Sequence, residues 1–141
     1  MTHTVFIDGS AGTTGLRIAE RLRDADDIHL LTLPEAQRKD LDARLDAAAA
    51  SDISLLCLPD EAAREFVQHA PAATRICDTS TAHRNAPGWV YGFAELHGQR
   101  AAIKDATRVA NPGCHASGFI ALIRPLCDAG ALRREALLTC Q

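Results

Sequence analysis

Val5-Phe6-Ile7-Asp8-Gly9-Ser10-Ala11-Gly12-Thr13-Thr14-Gly15, close to the start of the chain, decides the fold class. Val5 to Asp8 is a short apolar, β-rich run that stops at a glycine. It predicts a strand buried on both faces, as strands are in a parallel sheet. Gly9, Gly12 and Gly15 then give G-x-x-G-x-x-G. Beyond them Leu16, Ile18, Ala19 and Leu22 recur at helical spacing, with Arg17, Glu20, Arg21 and Arg23 between them. A glycine-rich turn that follows a strand and opens a helix is the context of a dinucleotide fingerprint. Without Cβ atoms in the way, backbone N–H groups approach a pyrophosphate closely, and the helix N-terminus favours its negative charge. Gly15 would let the helix pack close against the strand.

The alternation continues outward from that turn. Ile28 to Leu33 predicts a second strand, ended by Pro34. Asp40 to Ala50 predicts a helix with Leu41, Leu45 and Ala48 on one face. Ile53 to Leu58 predicts a third strand, stopped by Pro59, and Asp60 is a natural N-cap for a helix over Glu61 to Gln68. Thr74 to Asp78 and Arg108 to Ala110 predict further strands. The stretch between them from Thr79 to Gly92 is polar and turn-rich, and predicts a long functional loop. Ser117 to Ala129 predicts a helix carrying Phe119, Ile120, Leu122, Ile123, Leu126 and Cys127, with Pro125 in conflict inside it and Gly130 capping its end. Leu137 to Cys140 is placed to begin another strand. Strands alternating with helices imply right-handed crossovers and an α/β fold, a Rossmann-like, doubly wound parallel sheet.

Composition narrows the function classes. The chain has 141 residues and a mass of 15.1 kDa, a length that by itself predicts one domain. At 47% apolar and 23% charged it is globular. A net charge of −3 argues against a nucleic-acid surface. No apolar run reaches the roughly 20 residues that span a bilayer, and the N-terminus lacks the pattern of a secretory signal. Cys57, Cys77, Cys114, Cys127 and Cys140 are odd in number and include no Cys-x-x-Cys pair, which predicts a reduced, cytoplasmic protein and no metal site. The final run, Leu137-Leu138-Thr139-Cys140-Gln141, has neither a helix stop nor a polar tail and reads as interrupted.

Two positions sharpen the chemistry. A binder of NAD usually carries an acid at the end of the second strand for the ribose 2′-hydroxyl. Here that end reads Leu31-Thr32-Leu33-Pro34, without an acid until Glu35, and Arg38 and Lys39 follow. A cation there suits a 2′-phosphate, so NADP is favoured over NAD; an ordinary solvated helix start explains the same two residues equally well. Cys114 follows a short strand and a Pro-Gly turn and precedes a helix. A thiol at a helix N-terminus feels the positive end of the dipole, which favours the thiolate. His115 is adjacent, and His83 is a second candidate base. The other cysteines sit in apolar runs and read as small buried hydrophobes. A nicotinamide-binding half followed by an activated cysteine suggests hydride transfer to a covalently held acyl group. A short-chain dehydrogenase is excluded, because Tyr91 is followed four residues later by Glu95 where that class needs a lysine.

Five ordered segments carry a resemblance. Ile7-Asp8-Gly9-Ser10-Ala11-Gly12-Thr13-Thr14-Gly15-Leu16, Cys57-Leu58-Pro59-Asp60-Glu61-Ala62-Ala63, Asp78-Thr79-Ser80-Thr81-Ala82-His83-Arg84, Gly88-Trp89-Val90-Tyr91-Gly92-Phe93 and Asn111-Pro112-Gly113-Cys114 together resemble the shorter sequence type of the N-acetyl-γ-glutamyl-phosphate reductases, a family related to aspartate-semialdehyde dehydrogenase. The resemblance implies NADPH-dependent reduction of N-acetylglutamyl phosphate to the semialdehyde, in arginine biosynthesis, through a thioester on Cys114. It matches Gly9, Ser10, Gly12, Thr13, Thr14 and Gly15 to the cofactor phosphate loop. Leu58 and Pro59 match the strand end beside the cofactor. Ser80 falls near the nicotinamide, Asn111 in the cysteine motif, and Arg84 in a loop suited to binding the anionic substrate.

The sequence departs from the family after the cysteine, where it reads His115-Ala116-Ser117-Gly118, and at Phe93-Ala94-Glu95-Leu96. The family's second, α+β domain, with its acid–base histidine and oligomer interface, has no counterpart up to Gln141. The expected organisation is thus a dinucleotide-binding domain over 1–112 and a cysteine-bearing helix opening a truncated catalytic domain over 113–141. The full-length enzyme is expected to be a homo-oligomer acting on a small acyl phosphate, and this length of chain is expected to bind NADP(H) weakly or not at all and to be close to inactive. The alternatives are a related acyl-phosphate or semialdehyde dehydrogenase, or a non-catalytic NADP-binding relic.

Overall fold

The computed structural model describes residues 1–133 and Glu135, so the strand expected from Leu137 lies outside the described residues. The chain divides into two compact units, Met1–Asn111 and Pro112–Gln141. The first holds a single sheet of six strands. These are β1 (His3–Asp8), β2 (Ile28–Leu31), β3 (Ile53–Leu56), β4 (Ile76–Asp78), β5 (Val90–Tyr91) and β6 (Arg108–Ala110). Their order across the sheet is β2-β1-β3-β4-β6-β5, and every pairing is parallel. Four helices accompany them in this unit: α1 (Thr13–Leu22), α2 (Leu41–Ala49), α3 (Asp60–His69) and α4 (Gln99–Asp105).

Burial explains why these runs are strands. Val5, Phe6 and Ile7 are successive residues of β1, so they point to opposite faces, and all three are buried. Only a strand covered on both sides accepts such a run. Phe6, Leu56 and Ile76 form the core with Ala47 and Ala48 of α2 and Phe66 of α3, while Leu41, Leu45 and Trp89 pack around them. Phe66 and Leu56 have no exposed surface, and each such side chain contributes about 1.5–3 kcal/mol. Asp40 caps α2 as its position suggests: its carboxylate accepts from the amides of Asp42 at 3.0 Å and Ala43 at 3.4 Å. The first crossover leaves β2 on one side of β1, and the next places β3 on the other. The chain therefore changes direction across the sheet between β1 and β3, and the crevice beyond the strand C-termini at that switch is where such folds bind ligands.

Four details differ from expectation. The long loop after Thr79 contains β5, a two-residue edge strand in register with Val109 and Ala110 of β6. A helix, α4, precedes β6; it begins after Gly98, whose φ of 75° is left-handed. Asp60 does not cap α3. Pro59 takes that place without a side-chain bond, and the Asp60 carboxylate accepts from the amide and hydroxyl of Thr81 instead. Finally, Leu16 is 52% exposed, so α1 turns Ile18, Ala19 and Leu22 inward without it.

The second unit holds one helix, α5 (Cys114–Asp128), which starts three residues earlier than its apolar pattern. Pro125 lies within its last turn, costing the bond it would make to the carbonyl of Ala121 without ending the helix. Gly130 ends it as expected. With φ at 69°, its amide donates to Cys127 and that of Ala131 to Leu126, the paired bonds of a Schellman motif.

Candidate functional site

Three C-terminal strand ends of the first unit meet at the crevice. After β1 comes the glycine loop. Gly9 has φ of 80°, and a Cβ there would run into the carbonyl of Cys57. Gly15 is buried, and a Cβ there would meet the carbonyl oxygen of Gly9 and lie 2.8 Å from the Cα of Ser10. Gly12 differs: its backbone is ordinary, with φ of −78°, and a Cβ would come only to 3.4 Å from the nearest atom. The protein's own packing thus demands glycine at the ends of the motif and leaves its middle open, at the exposed N-terminus of α1. That is the arrangement a pyrophosphate needs, with bare backbone N–H groups and the positive end of a helix. Ser10, Thr13 and Thr14 share this loop, Thr13 and Thr14 being exposed in the first turn of α1.

After β3, Cys57 donates its amide to the carbonyl of Asp8, 2.8 Å away, which ties this connection to the end of β1. Cys57 therefore stands just past β3 and not within it. Leu58 packs against the core and Pro59 is exposed at the start of α3. After β4, three hydroxyl residues in a row are each pinned. Thr79 donates its amide and its hydroxyl to the carbonyl of Leu56, at 3.0 and 2.9 Å. Ser80 donates its amide to one oxygen of Asp78 at 3.0 Å and its hydroxyl to the other at 2.6 Å. Thr81 bonds the Asp60 carboxylate, which holds that group below its ordinary range. Arg84 donates to the carbonyls of Asn111, at 3.2 Å, and Thr79, at 3.4 Å, joining the β4 loop to the end of β6. A cavity of about 460 Å³ is lined by Thr13, Thr14, Arg17, Arg21, Thr79 and Asn111, among others. The structure thus brings Thr13 and Thr14 together with Asn111. A second cavity, of about 430 Å³, opens at the opposite ends of β4 and β6, near Arg75 and Thr107.

Asp8, the last residue of β1, is buried against Arg44 of α2, with Nε 2.8 Å from its carboxylate. Burial pushes the Asp8 carboxyl up against the opposing pull of that guanidinium, which also lies over Phe66 at 5.3 Å. Arg38 stands beyond the end of β2, with its Nε donating to the carbonyl of Leu33 at 3.1 Å and its terminal nitrogens unpartnered among the described residues. Lys39 is exposed beside it.

Both candidate bases meet obstacles. His83 is buried, with Nδ1 2.6 Å from the Asp78 carboxylate and its ring stacked on Trp89, centroids 4.2 Å apart and planes 11° from parallel. His115 neighbours Cys114 on α5, and side chains at adjacent helical positions point about 100° apart. Cys114 itself is the exposed first residue of α5, with Gly113 before it as N-cap. Cys77, by contrast, lies in β4, where burial pushes its thiol up to about 11, and Cys57 is raised for the same reason. Cys127 is half-buried, although α5 buries none of its residues fully. Among the described residues no cluster could hold a metal ion, and no helix is long and apolar enough to cross a membrane. The Asp78–His83–Trp89 cluster went unread in the sequence, where His83 drew notice only as a candidate base.

Comparison with known proteins agrees with this geometry. Residues 34–106 match the family described as semialdehyde dehydrogenase, NAD binding domain. Over 135 residues the chain is 55% identical to an N-acetyl-gamma-glutamyl-phosphate reductase of Brucella ovis and 54% identical to that of Brucella canis, in each case covering 94% of this chain. The chain spans 44% of the length of those relatives. In structure it is similar to aspartate semialdehyde dehydrogenase II from Vibrio cholerae, with a TM-score of 0.66 at 18% identity over 92% of this chain and 47% of the other. It is also similar to the Francisella tularensis aspartate semialdehyde dehydrogenase, with a TM-score of 0.68 at 19% identity over 92% of this chain and 42% of the other. A glycine loop built for a pyrophosphate, a parallel sheet that switches direction beside it, and a matching segment of 34–106 lead to one conclusion: the chain belongs to the semialdehyde dehydrogenase NAD-binding domain family.

Proposed function

We propose that this chain is the cofactor-binding part of an NADPH-dependent N-acetyl-γ-glutamyl-phosphate reductase of arginine biosynthesis. The observation that carries the dinucleotide reading is the split among the three glycines: Gly9 and Gly15 are required by neighbouring backbone, and Gly12 is left open at the N-terminus of α1. The substrate is proposed from the relatives that share 54–55% of their aligned residues with it. Gly9, Ser10, Gly12, Thr13, Thr14 and Gly15 hold the pyrophosphate, and Leu58, Pro59 and Ser80 flank the nicotinamide side. Arg38 takes the 2′-phosphate: it sits past the end of β2, its Nε is already tethered, and the strand end carries no acid before Glu35. Asn111 and Arg84 orient the acyl phosphate.

Cys114 is the nucleophile. Its Sγ attacks the acyl carbon, the carbon–oxygen bond to phosphate breaks, and phosphate leaves. NADPH, when bound, supplies the hydride that takes the thioester to the aldehyde, and release of the aldehyde returns the thiolate. Residues 1–112 thus bind the cofactor and 113–141 carry the thiol. The site works in the cytoplasm, within a homo-oligomer. Turnover belongs to the whole protein, and the 141-residue chain alone is expected to be nearly inactive.

Two measurements test this on the chain itself. Titration to millimolar NADP⁺ and NAD⁺, followed by amide chemical shifts, should show tighter NADP⁺ binding that Arg38→Met reduces to the NAD⁺ level; equal affinities in the unaltered chain would refute the cofactor choice. Incubation with N-acetylglutamyl phosphate should leave an N-acetylglutamyl adduct on Cys114 in peptide mass spectra. An adduct on another cysteine, or none, would remove Cys114 from its role.

A further inference from the structure

Asp78 is the last residue of β4 and has no exposed surface. Burying a carboxylate is costly unless its bonds are made. Here both oxygens are used, yet no lysine or arginine is paired with it among the described residues. Oδ1 accepts from the Ser80 amide, and Oδ2 from the Ser80 hydroxyl and from His83 Nδ1, at 3.0, 2.6 and 2.6 Å. All these donors lie within five residues of Asp78 in sequence, so the carboxylate specifies the shape of one turn and does little for the rest of the fold. A carboxylate only accepts, so His83 carries its proton on Nδ1. The stack on Trp89 fixes the plane of the imidazole. The Ser80 hydroxyl, which donates its hydrogen bond to Asp78, accepts from the amide of Ala82 at 3.2 Å. Arg84, the next residue after His83, completes the turn by reaching the carbonyls of Thr79 and Asn111.

The turn faces a particular half of the cofactor. A dinucleotide with its pyrophosphate on the β1 loop places its adenosine ribose at the end of β2. Its nicotinamide must then lie on the other side of β1, over the ends of β3 and β4, where this turn stands. We propose that Asp78, His83 and Trp89 form a clamp that positions Ser80 for the nicotinamide half of the cofactor, with His83 as the positioning residue rather than a base. The proposal rests on the dinucleotide reading above.

The test compares the whole 141-residue chain with His83→Asn, whose amide places a donor where Nδ1 stands, and with His83→Gln and His83→Ala, which do not. Affinities are measured for NADP⁺ and for 2′,5′-ADP, which lacks the nicotinamide half. His83→Ala and His83→Gln should weaken NADP⁺ about tenfold, the loss expected for one hydrogen bond to a charged group, and leave 2′,5′-ADP within about twofold. His83→Asn should restore NADP⁺. Trp89 is the chain's single tryptophan, and its emission should shift in His83→Ala and recover in His83→Asn. Equal loss of both ligands, as a merely structural residue would give, or no loss of either, overturns the clamp while leaving the dinucleotide reading intact. If the unaltered chain binds neither ligand, the dinucleotide reading fails and the clamp's role falls with it. Should His83→Ala not fold, the contrast between His83→Asn and His83→Gln decides the matter.

Discussion

Gly12 and Gly15 lie three residues apart, one the N-cap of α1 and the other in its first turn, and are glycine for different reasons. At Gly15 a methyl group would press on Ser10 and on the Gly9 carbonyl, neither of which is a flexible side-chain end. Gly15→Ala should therefore cost about 1–3 kcal/mol in urea denaturation. Gly12 is the N-cap of α1, a position where serine is at least as good as glycine. Gly12→Ser should leave stability unchanged or slightly higher and abolish dinucleotide binding; retained binding would show the open middle of the motif to be idle. Asp8 gives a pH test at the same scale. A carboxyl raised on folding holds its proton more tightly folded than unfolded, so stability falls as pH rises from the ordinary value of 3.8 through the raised one. Arg44 is what limits that fall. The destabilisation of Arg44→Met should be small below pH 3.8 and grow as pH rises past it, approaching about 3 kcal/mol at neutral pH. Urea midpoints across that range check the sign. Thiol accessibility ranks the cysteines: iodoacetamide at neutral pH should label exposed Cys114 well before Cys77, whose thiol stays protonated up to about 11.

At the scale of elements, α5 contains its own contradiction. Pro125 removes one backbone bond from its last turn, and the Gly130 motif closes that turn with two. Gly130→Ala, at φ of 69°, should lower helicity measured by circular dichroism, at a cost of about 1 kcal/mol, and Pro125→Ala should raise it. The start of the helix, Cys114, was misplaced from sequence because Cys114-His115-Ala116 has no apolar periodicity, while backbone geometry needs none. Val90–Tyr91 and Gln99–Asp105 were missed for a similar reason. A two-residue strand carries no alternation, and a seven-residue helix without a side-chain cap carries little of the usual start signal. The longer elements were legible because their apolar spacing is the same thing as their burial.

For the whole molecule, the relevant quantity is the coupling of ligand to fold. A dinucleotide that binds only the folded chain stabilises it by mass action, and a ligand concentration tenfold above Kd is worth about 1.4 kcal/mol. NADP⁺ should therefore raise the melting temperature in a concentration-dependent way, and Gly12→Ser should remove the rise. The crevice that would take the ligand exists only because three strand ends from distant parts of the chain lie side by side in a parallel sheet.

The sequence by itself determined the α/β class, the glycine loop and the isolated position of Cys114. Each is local: a strand, a turn and a helix start are written in residues that are neighbours along the chain. It could not determine which glycine is left free for a ligand, because that depends on Cys57, which is 48 positions away from Gly9. Nor could it turn His83 from a candidate base into a clamp. The burial of Asp78 and the stack on Trp89 decide that, and both arise only when β4, β6 and the loop between them pack into one unit.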